Sequence, residues 1–159
     1  MALNPYSTAL GGADPLTVLA RTPMQLASLV STLGPQGLEA SLEPGKWDVR
    51  QIICHLADCE IAFAFRYRQT LAEPHHIIQP FDQDAWSTPY PAMDAHQALA
   101  VFTAVRNWNL ALLEMAPEVA WTKPVTHPER GAMTLRNILE TAAGHDRNHL
   151  AQIEAIAAR

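Results

Sequence analysis

The chain has 159 residues, 48% of them hydrophobic and 17% charged, which is the make-up of one globular domain and too apolar for a disordered chain. Eleven Lys and Arg against sixteen Asp and Glu leave a net charge of -5, and no basic run marks a phosphate-binding face, which argues against a nucleic-acid partner. No stretch approaches the ~20 apolar residues that span a bilayer, and no basic-then-apolar leader opens the chain; the expectation is a soluble cytoplasmic protein folded as a single domain over residues 1–159.

Between clusters of Pro and Gly lie four segments with apolar residues at helical spacing, and no alternating run competes as a strand. The first opens at "TPMQ". Thr22 reads as the cap, Pro23 fits the first turn and Gln25 reaches back, with Leu26, Leu29, Val30 and Leu33 on one face until Gly34-Pro35 stops it. A short helical turn around residues 16–20 fits before it. The second opens at "DVRQ", where Asp48 and Gln51 make an aspartate version of the same box, and runs from Val49 to about Glu73 before Pro74. Its inward stripe is Ile52, His55, Leu56, Cys59, Phe63 and Arg66.

The third helix opens at Asp94, again with a glutamine three residues on, and carries Leu99, Val101, Phe102, Val105, Trp108 and Leu112 as far as Pro117. The fourth follows Thr134 and runs almost to Arg159, its stripe reading Ile138, Ala142, His145, His149, Gln152 and Ile156. The connection over residues 74–93 is long enough to cross a bundle end to end, so the second and third helices can run parallel. The class expected is an all-α four-helix bundle. Cys54 and Cys59 lie about 7.5 Å apart along one helix axis and point in different directions, which excludes a disulfide between them.

Histidines stand at inward positions of two of these stripes. His145 and His149 are one turn apart and can address one point. An imidazole facing a core needs a hydrogen bond or a ligand, and one shared ligand satisfies His55, His145 and His149 more simply than three separate packing solutions. Depth agrees: His55 lies about 9 Å into its helix and His149 about 12 Å from the end of the other, so antiparallel helices bring them level. Three neutral imidazoles around a divalent ion with an open position make a catalytic or exchangeable site, for which zinc and nickel both qualify. In "HDRNH" Asp146 stands where a metalloprotease H-E-x-x-H motif has its glutamate, so that reading fails.

The stretches "TPMQLASLV", "PGKWDVRQIICHLADCE", "FDQDAW" and "GHDRNHLAQIE" together resemble the DinB/YfiT-like superfamily of four-helix-bundle proteins, over nearly the whole chain. The resemblance implies helices ordered up, down, down, up, a homodimer, and a divalent metal on three histidines, which here fall on His55, His145 and His149. It implies a metal-dependent enzyme of the thiol S-transferase or hydrolase type, acting on a small molecule such as a low-molecular-weight thiol that the metal holds as thiolate. The family also contains isomerases with an extra C-terminal domain; no such domain is expected here, which makes the isomerase reading the less favoured one. The alternative is a metal-binding or dimeric interaction module without catalysis, because family membership fixes fold more tightly than reaction.

Around the triad, Cys59 sits one turn after His55 and reads as core filling, with a fourth-ligand role as the alternative. Asp58 and Glu60 suit either orientation of an imidazole or a solvated helix face. Asp146 and Asn148 read as surface or interface. Asp82, Asp84 and Trp86 either cover the mouth of the site or cap and anchor a loop. His75, His76, His96 and His127 fall in predicted loops or at a helix start and call for no special role.

Overall fold

The computed structural model describes residues 3–159. Among them are the helices α1 (Ser7–Leu10), α2 (Pro15–Leu38), α3 (Val49–Ala72), α4 (Gln83–Ser87), α5 (Ala95–Glu114) and α6 (Leu135–Ala157), and a hairpin of β1 (Pro124–His127) and β2 (Gly131–Thr134). The long helices α2, α3, α5 and α6 make the bundle. The N-terminal α1 packs on α6.

Three of the four predicted starts are set by the expected caps. Asp48 accepts from the Gln51 backbone N–H at 2.8 Å while Gln51 accepts from that of Asp48 at 3.0 Å, which closes both ends of a capping box. Asp94 accepts from the Gln97 N–H at 2.8 Å, and Thr134 pairs with Asn137 in a second box. The first start is a correction. Helix α2 begins at Pro15 under an Asp14 cap, eight residues before the predicted cap, and Thr22 is an interior residue whose hydroxyl donates to the Val18 carbonyl at 3.0 Å. Pro23 therefore lies inside a helix, where its missing N–H orphans the carbonyl of Leu19. Arg106 of α5 donates to that carbonyl at 2.9 Å, so a tertiary bond replaces the lost helical one. Gly34 breaks the path at φ 62° and ψ -176°, where the sequence predicted a stop, and one further turn runs to Leu38.

A second correction concerns strands. The connection from α5 to α6 pairs Val125 with Met133 and His127 with Gly131, four-residue strands too short for alternation to stand out. Gly131 takes φ 83° after the three-residue turn, the left-handed position such a hairpin needs. Backbone bonds from Ile78 N to Thr126 O (2.8 Å) and from Thr126 N to His76 O (3.0 Å) fasten the α3–α5 connection to this hairpin.

Two core clusters, one at each end, give the helix directions. One gathers Leu26 and Val30 late in α2, Val49 to Ala57 early in α3, Ala95 to Phe102 early in α5, and Leu150 to Ile156 late in α6. The other gathers Leu19 early in α2, Cys59 to Tyr67 later in α3, Leu113 late in α5 and Leu135 to Ala143 early in α6. Helices α3 and α5 thus share one direction and α2 and α6 the other, which brings the first part of α3 level with the second half of α6.

Candidate metal centre and its cleft

The antiparallel pairing of α3 and α6 brings the three predicted histidines together. His55 Nε2 lies 2.9 Å from His145 Nε2, and His149 Nε2 lies 3.1 Å from the same atom. The side chains are 1%, 4% and 7% exposed, so these nitrogens converge away from bulk water. Nitrogens bound tetrahedrally to one zinc ion at ordinary bond lengths are about 3.3 Å apart, close to the spacing seen. Burial, with the nearness of a neighbouring ring, lowers His55 to about 3 and His145 well below the usual histidine range. Burial also lowers His149, against a raising effect of Gln152. The imidazoles are neutral at pH 7 and their lone pairs are available.

Tautomers sharpen the fit to a metal. The Nδ1–H of His149 donates to Gln152 Oε1 at 2.8 Å, which leaves Nε2 as the bare nitrogen facing the cluster. His145 Nδ1 is buried with no hydrogen-bond partner among the described residues. Nε2 atoms facing one another cannot all be satisfied by each other, since one proton serves one pair. A shared cation resolves the conflict. Cys59 adds a sulfur 3.4 Å from His55 Nε2, and ligand atoms of His55, Cys59 and His145 all lie within 4.8 Å of one another. Burial pushes the Cys59 thiol up to about 12, so without a cation it stays protonated. The donor set, imidazole nitrogen with a neighbouring sulfur, fits zinc or a similar borderline ion.

A buried polar network, not foreseen from sequence, backs this cluster. Arg106 is 1% exposed and donates to Asp146 and to Glu60, each at 2.7 Å. Asn109 donates to the other Glu60 oxygen at 2.7 Å and accepts from Arg68 at 2.8 Å. Burial works against the charge of Arg106, and the two carboxylates outweigh it and keep the guanidinium protonated; burial pushes Glu60 up. Asp146, expected on the surface, is 2% exposed, held inside by its bond to Arg106. The inward face of α5 is accordingly Ala95, Ala98, Phe102, Arg106, Asn109 and Leu113. Of the predicted stripe Phe102 lies on it, while Val101 and Trp108 are 43% and 69% exposed.

A cleft of about 180 Å³ opens on His145 and Cys59 and is lined further by Tyr6, Phe63, Arg66 and residues of the hairpin. Tyr6 meets the His145 ring edge-on at 5.2 Å between centroids. Gly144 permits this approach, since a Cβ there would lie 2.6 Å from the Tyr6 carbonyl oxygen. On the other side of the centre, Trp47 packs on His55 at 4.9 Å and lines a larger opening of about 530 Å³ together with Gln152. Gln83 of α4 lines both clefts.

The remaining candidates separate cleanly. Asp58 accepts from the Tyr90 hydroxyl at 2.7 Å, and neither it nor Glu60 bonds an imidazole. Asp82 caps α4 by accepting from the Asp84 and Ala85 N–H groups at 3.0 Å, and Trp86 stacks on Phe81 at 4.4 Å, the capping and anchoring role. Asn148 is half-buried and His96 exposed. His75 pairs with Thr126 at 2.9 Å. His76 and His127 are each 6% exposed, and His127, which falls in β1 rather than in a loop, lines the cleft at His145. Burial was not legible for these two because the hairpin that covers them was not.

Comparison with known proteins agrees with this architecture. A "Putative metal-dependent hydrolase YfiT" of Bacillus subtilis shares 28% identity over 147 residues, 91% of this chain and 83% of the relative. A "Putative metal-dependent hydrolase OB0782" of Oceanobacillus iheyensis shares 28% over 139 residues, 86% and 80% of the two chains. The solved structure of the B. subtilis protein, described as a probable metal-dependent hydrolase with an unusual four-helix bundle topology, superposes with a TM-score of 0.84 over 91% of this chain and 85% of its own. No helix among the described residues is long and apolar enough to cross a membrane. The model of the DinB superfamily matches residues 19–153. With the bundle, the family match and the structural likeness in agreement, this chain belongs to the DinB superfamily.

Proposed function

We propose that His55, His145 and His149 hold one divalent metal ion, zinc or nickel, and that the protein is a metal-dependent hydrolase of a small molecule. The observation that carries this reading is the cleft on His145 and Cys59: a closed apolar surround would suit a purely structural ion, whereas here a polar opening leads to the ligand atoms. A divalent ion held there supplies Lewis-acid chemistry, acidifying water and polarising an acyl or phosphoryl oxygen. The chain's own part is to present three neutral imidazoles, to fix one tautomer through Gln152, and to narrow water access with Tyr6 and Trp47. Among the described residues no carboxylate bonds an imidazole. The names of the relatives favour hydrolysis; the thiol S-transferase reading uses the same centre with a bound thiolate in place of water.

The test is metal content with and without the ligands. One ion per chain is expected for the native protein, with loss in His55→Ala, His145→Ala and His149→Ala and retention in Cys59→Ser. Full metal in His149→Ala removes the triad, and loss in Cys59→Ser makes the sulfur a ligand. Titration of the cobalt form with small thiols then separates the reactions. A visible spectrum that thiols leave unchanged, together with turnover of ester or amide substrates, selects hydrolysis.

A homodimer is part of the same reading. Ile61 and Phe65 on α3 are 47% and 62% exposed, Trp108 on the adjacent α5 is 69% exposed, and Arg68 caps the Trp108 ring at 5.9 Å. This apolar face suits a second copy. Light scattering is expected to give a dimer that Phe65→Asp converts to a monomer; a monomeric native protein at micromolar concentration rejects it.

A further inference from the structure

The cleft on His145 and Cys59 contains more positive charge than its surroundings neutralise. Arg66 of α3 and Arg130 of the hairpin turn both line it, with His127, and the same three residues line a smaller void behind it. Ion pairs among the described residues engage Arg50 and Arg106 only, and no side-chain hydrogen bond from Arg66 or Arg130 accompanies them. Glu129 shares the lining but lies within 4.0 Å of neither guanidinium nitrogen set, and it is exposed. Two guanidinium groups against one solvated carboxylate leave a net positive wall.

Arg66 is also pre-ordered. Its guanidinium carbon lies 5.6 Å from the Phe63 ring centre and 5.8 Å from that of Phe81. Contact with the two rings restrains the planar fork while its N–H edges stay without a partner. Donors that face the cleft without a protein partner, on a half-buried cation close to a second cation, favour an anion over water. Burial first weakens the hold of Arg66 on its proton, against an opposing effect of Cys59, and the nearby Arg130 adds a smaller push in the same direction as burial. A guanidinium fork matches the oxygens of carboxylate and phosphate.

From this geometry we infer that Arg66 and Arg130 form an oxyanion subsite, which takes the carboxylate or phosphate group of a small anionic substrate whose other end lies at the imidazole cluster. That the remainder of the bound molecule reacts there rests on the hydrolase reading above; that an oxyanion binds does not. The cleft of about 180 Å³ is worth roughly six water volumes, so the ligand is small or presents only a short anionic end.

The experiment follows the arginine side-chain Nε–H resonances of the full-length protein, zinc-loaded and metal-free, during titration with acetate, methylphosphonate and the neutral analogue acetamide. Saturable shifts of Arg66 and Arg130 with an oxyanion and none with acetamide are expected, in both metal states. The stronger of acetate and methylphosphonate identifies the group as carboxylate or phosphate. Arg130→Gln, in a half-buried turn where folding is least at risk, is expected to weaken binding roughly tenfold or more, the worth of a charge-assisted hydrogen bond. Arg66→Gln serves as the second variant once circular dichroism shows native helix content. No saturable shift with either oxyanion, equal shifts with acetamide, or undiminished affinity in Arg130→Gln overturns the subsite. Oxyanion binding without turnover of any ester by the zinc-loaded protein removes the hydrolase reading and keeps the subsite. Equal turnover of charged and uncharged esters without oxyanion binding does the reverse.

Discussion

Neutral histidines in a dry cluster make the metal-free protein acid-sensitive. In the unfolded chain each titrates near pH 6.5, whereas in the folded chain burial lowers His55 to about 3 and His145 and His149 below their usual range. Below about pH 6.5 the unfolded state therefore binds protons that the folded state refuses. Stability falls as pH drops through that window, by up to about 1.4 kcal/mol per pH unit for each histidine that remains neutral in the fold. Urea denaturation of the metal-free protein at several pH values below neutrality should show this slope, and His55→Ala should make it shallower. A stability that stays flat from neutral pH down to about pH 4 would mean that the imidazoles are not buried neutral.

At the level of the element, α5 shows what a sequence reveals and what it hides. Its cap was legible, because Asp94 and Gln97 act within one turn of each other. Its inward face was not, because apolar counting favours Val101 and Trp108 over Arg106 and Asn109, and only the partners Glu60 and Asp146 on other helices make the polar choice tolerable. The same holds at α2, where Pro23 reads as a start signal until the Arg106 bond to Leu19 is known. The histidines were legible because they interrupt apolar stripes, and Arg66 because it lies on one. Arg130, His127 and Tyr6 were not, since tertiary packing alone brings them to the cleft. Arg106 thus joins four elements, and its removal strands two buried carboxylates. Arg106→Met is expected to destabilise the fold by about 3–5 kcal/mol, read as a lower denaturant midpoint. A loss below about 1 kcal/mol would show that water or rearrangement satisfies Glu60 and Asp146 without it.

For the whole molecule the question is whether the ion holds the bundle together. The two apolar clusters lie at opposite ends, and the histidines sit between them, joining α3 to α6 at one level only. Helix α2 packs on α6 and α5 on α3 along their lengths, and the capping boxes and the ion pairs of Arg106 are made without an imidazole. Domains of this size bury enough surface to fold unaided, unlike a zinc finger, whose folding energy is its metal-binding energy. Chelation is therefore expected to leave the far-ultraviolet circular dichroism nearly unchanged while lowering the thermal midpoint. Mass action sets the size of that shift: an ion present at a hundred times its dissociation constant adds about 2.7 kcal/mol to the folded state. Loss of most helical signal on chelation, restored by zinc, would make the ion a structural keystone and would count against an exchangeable, working centre.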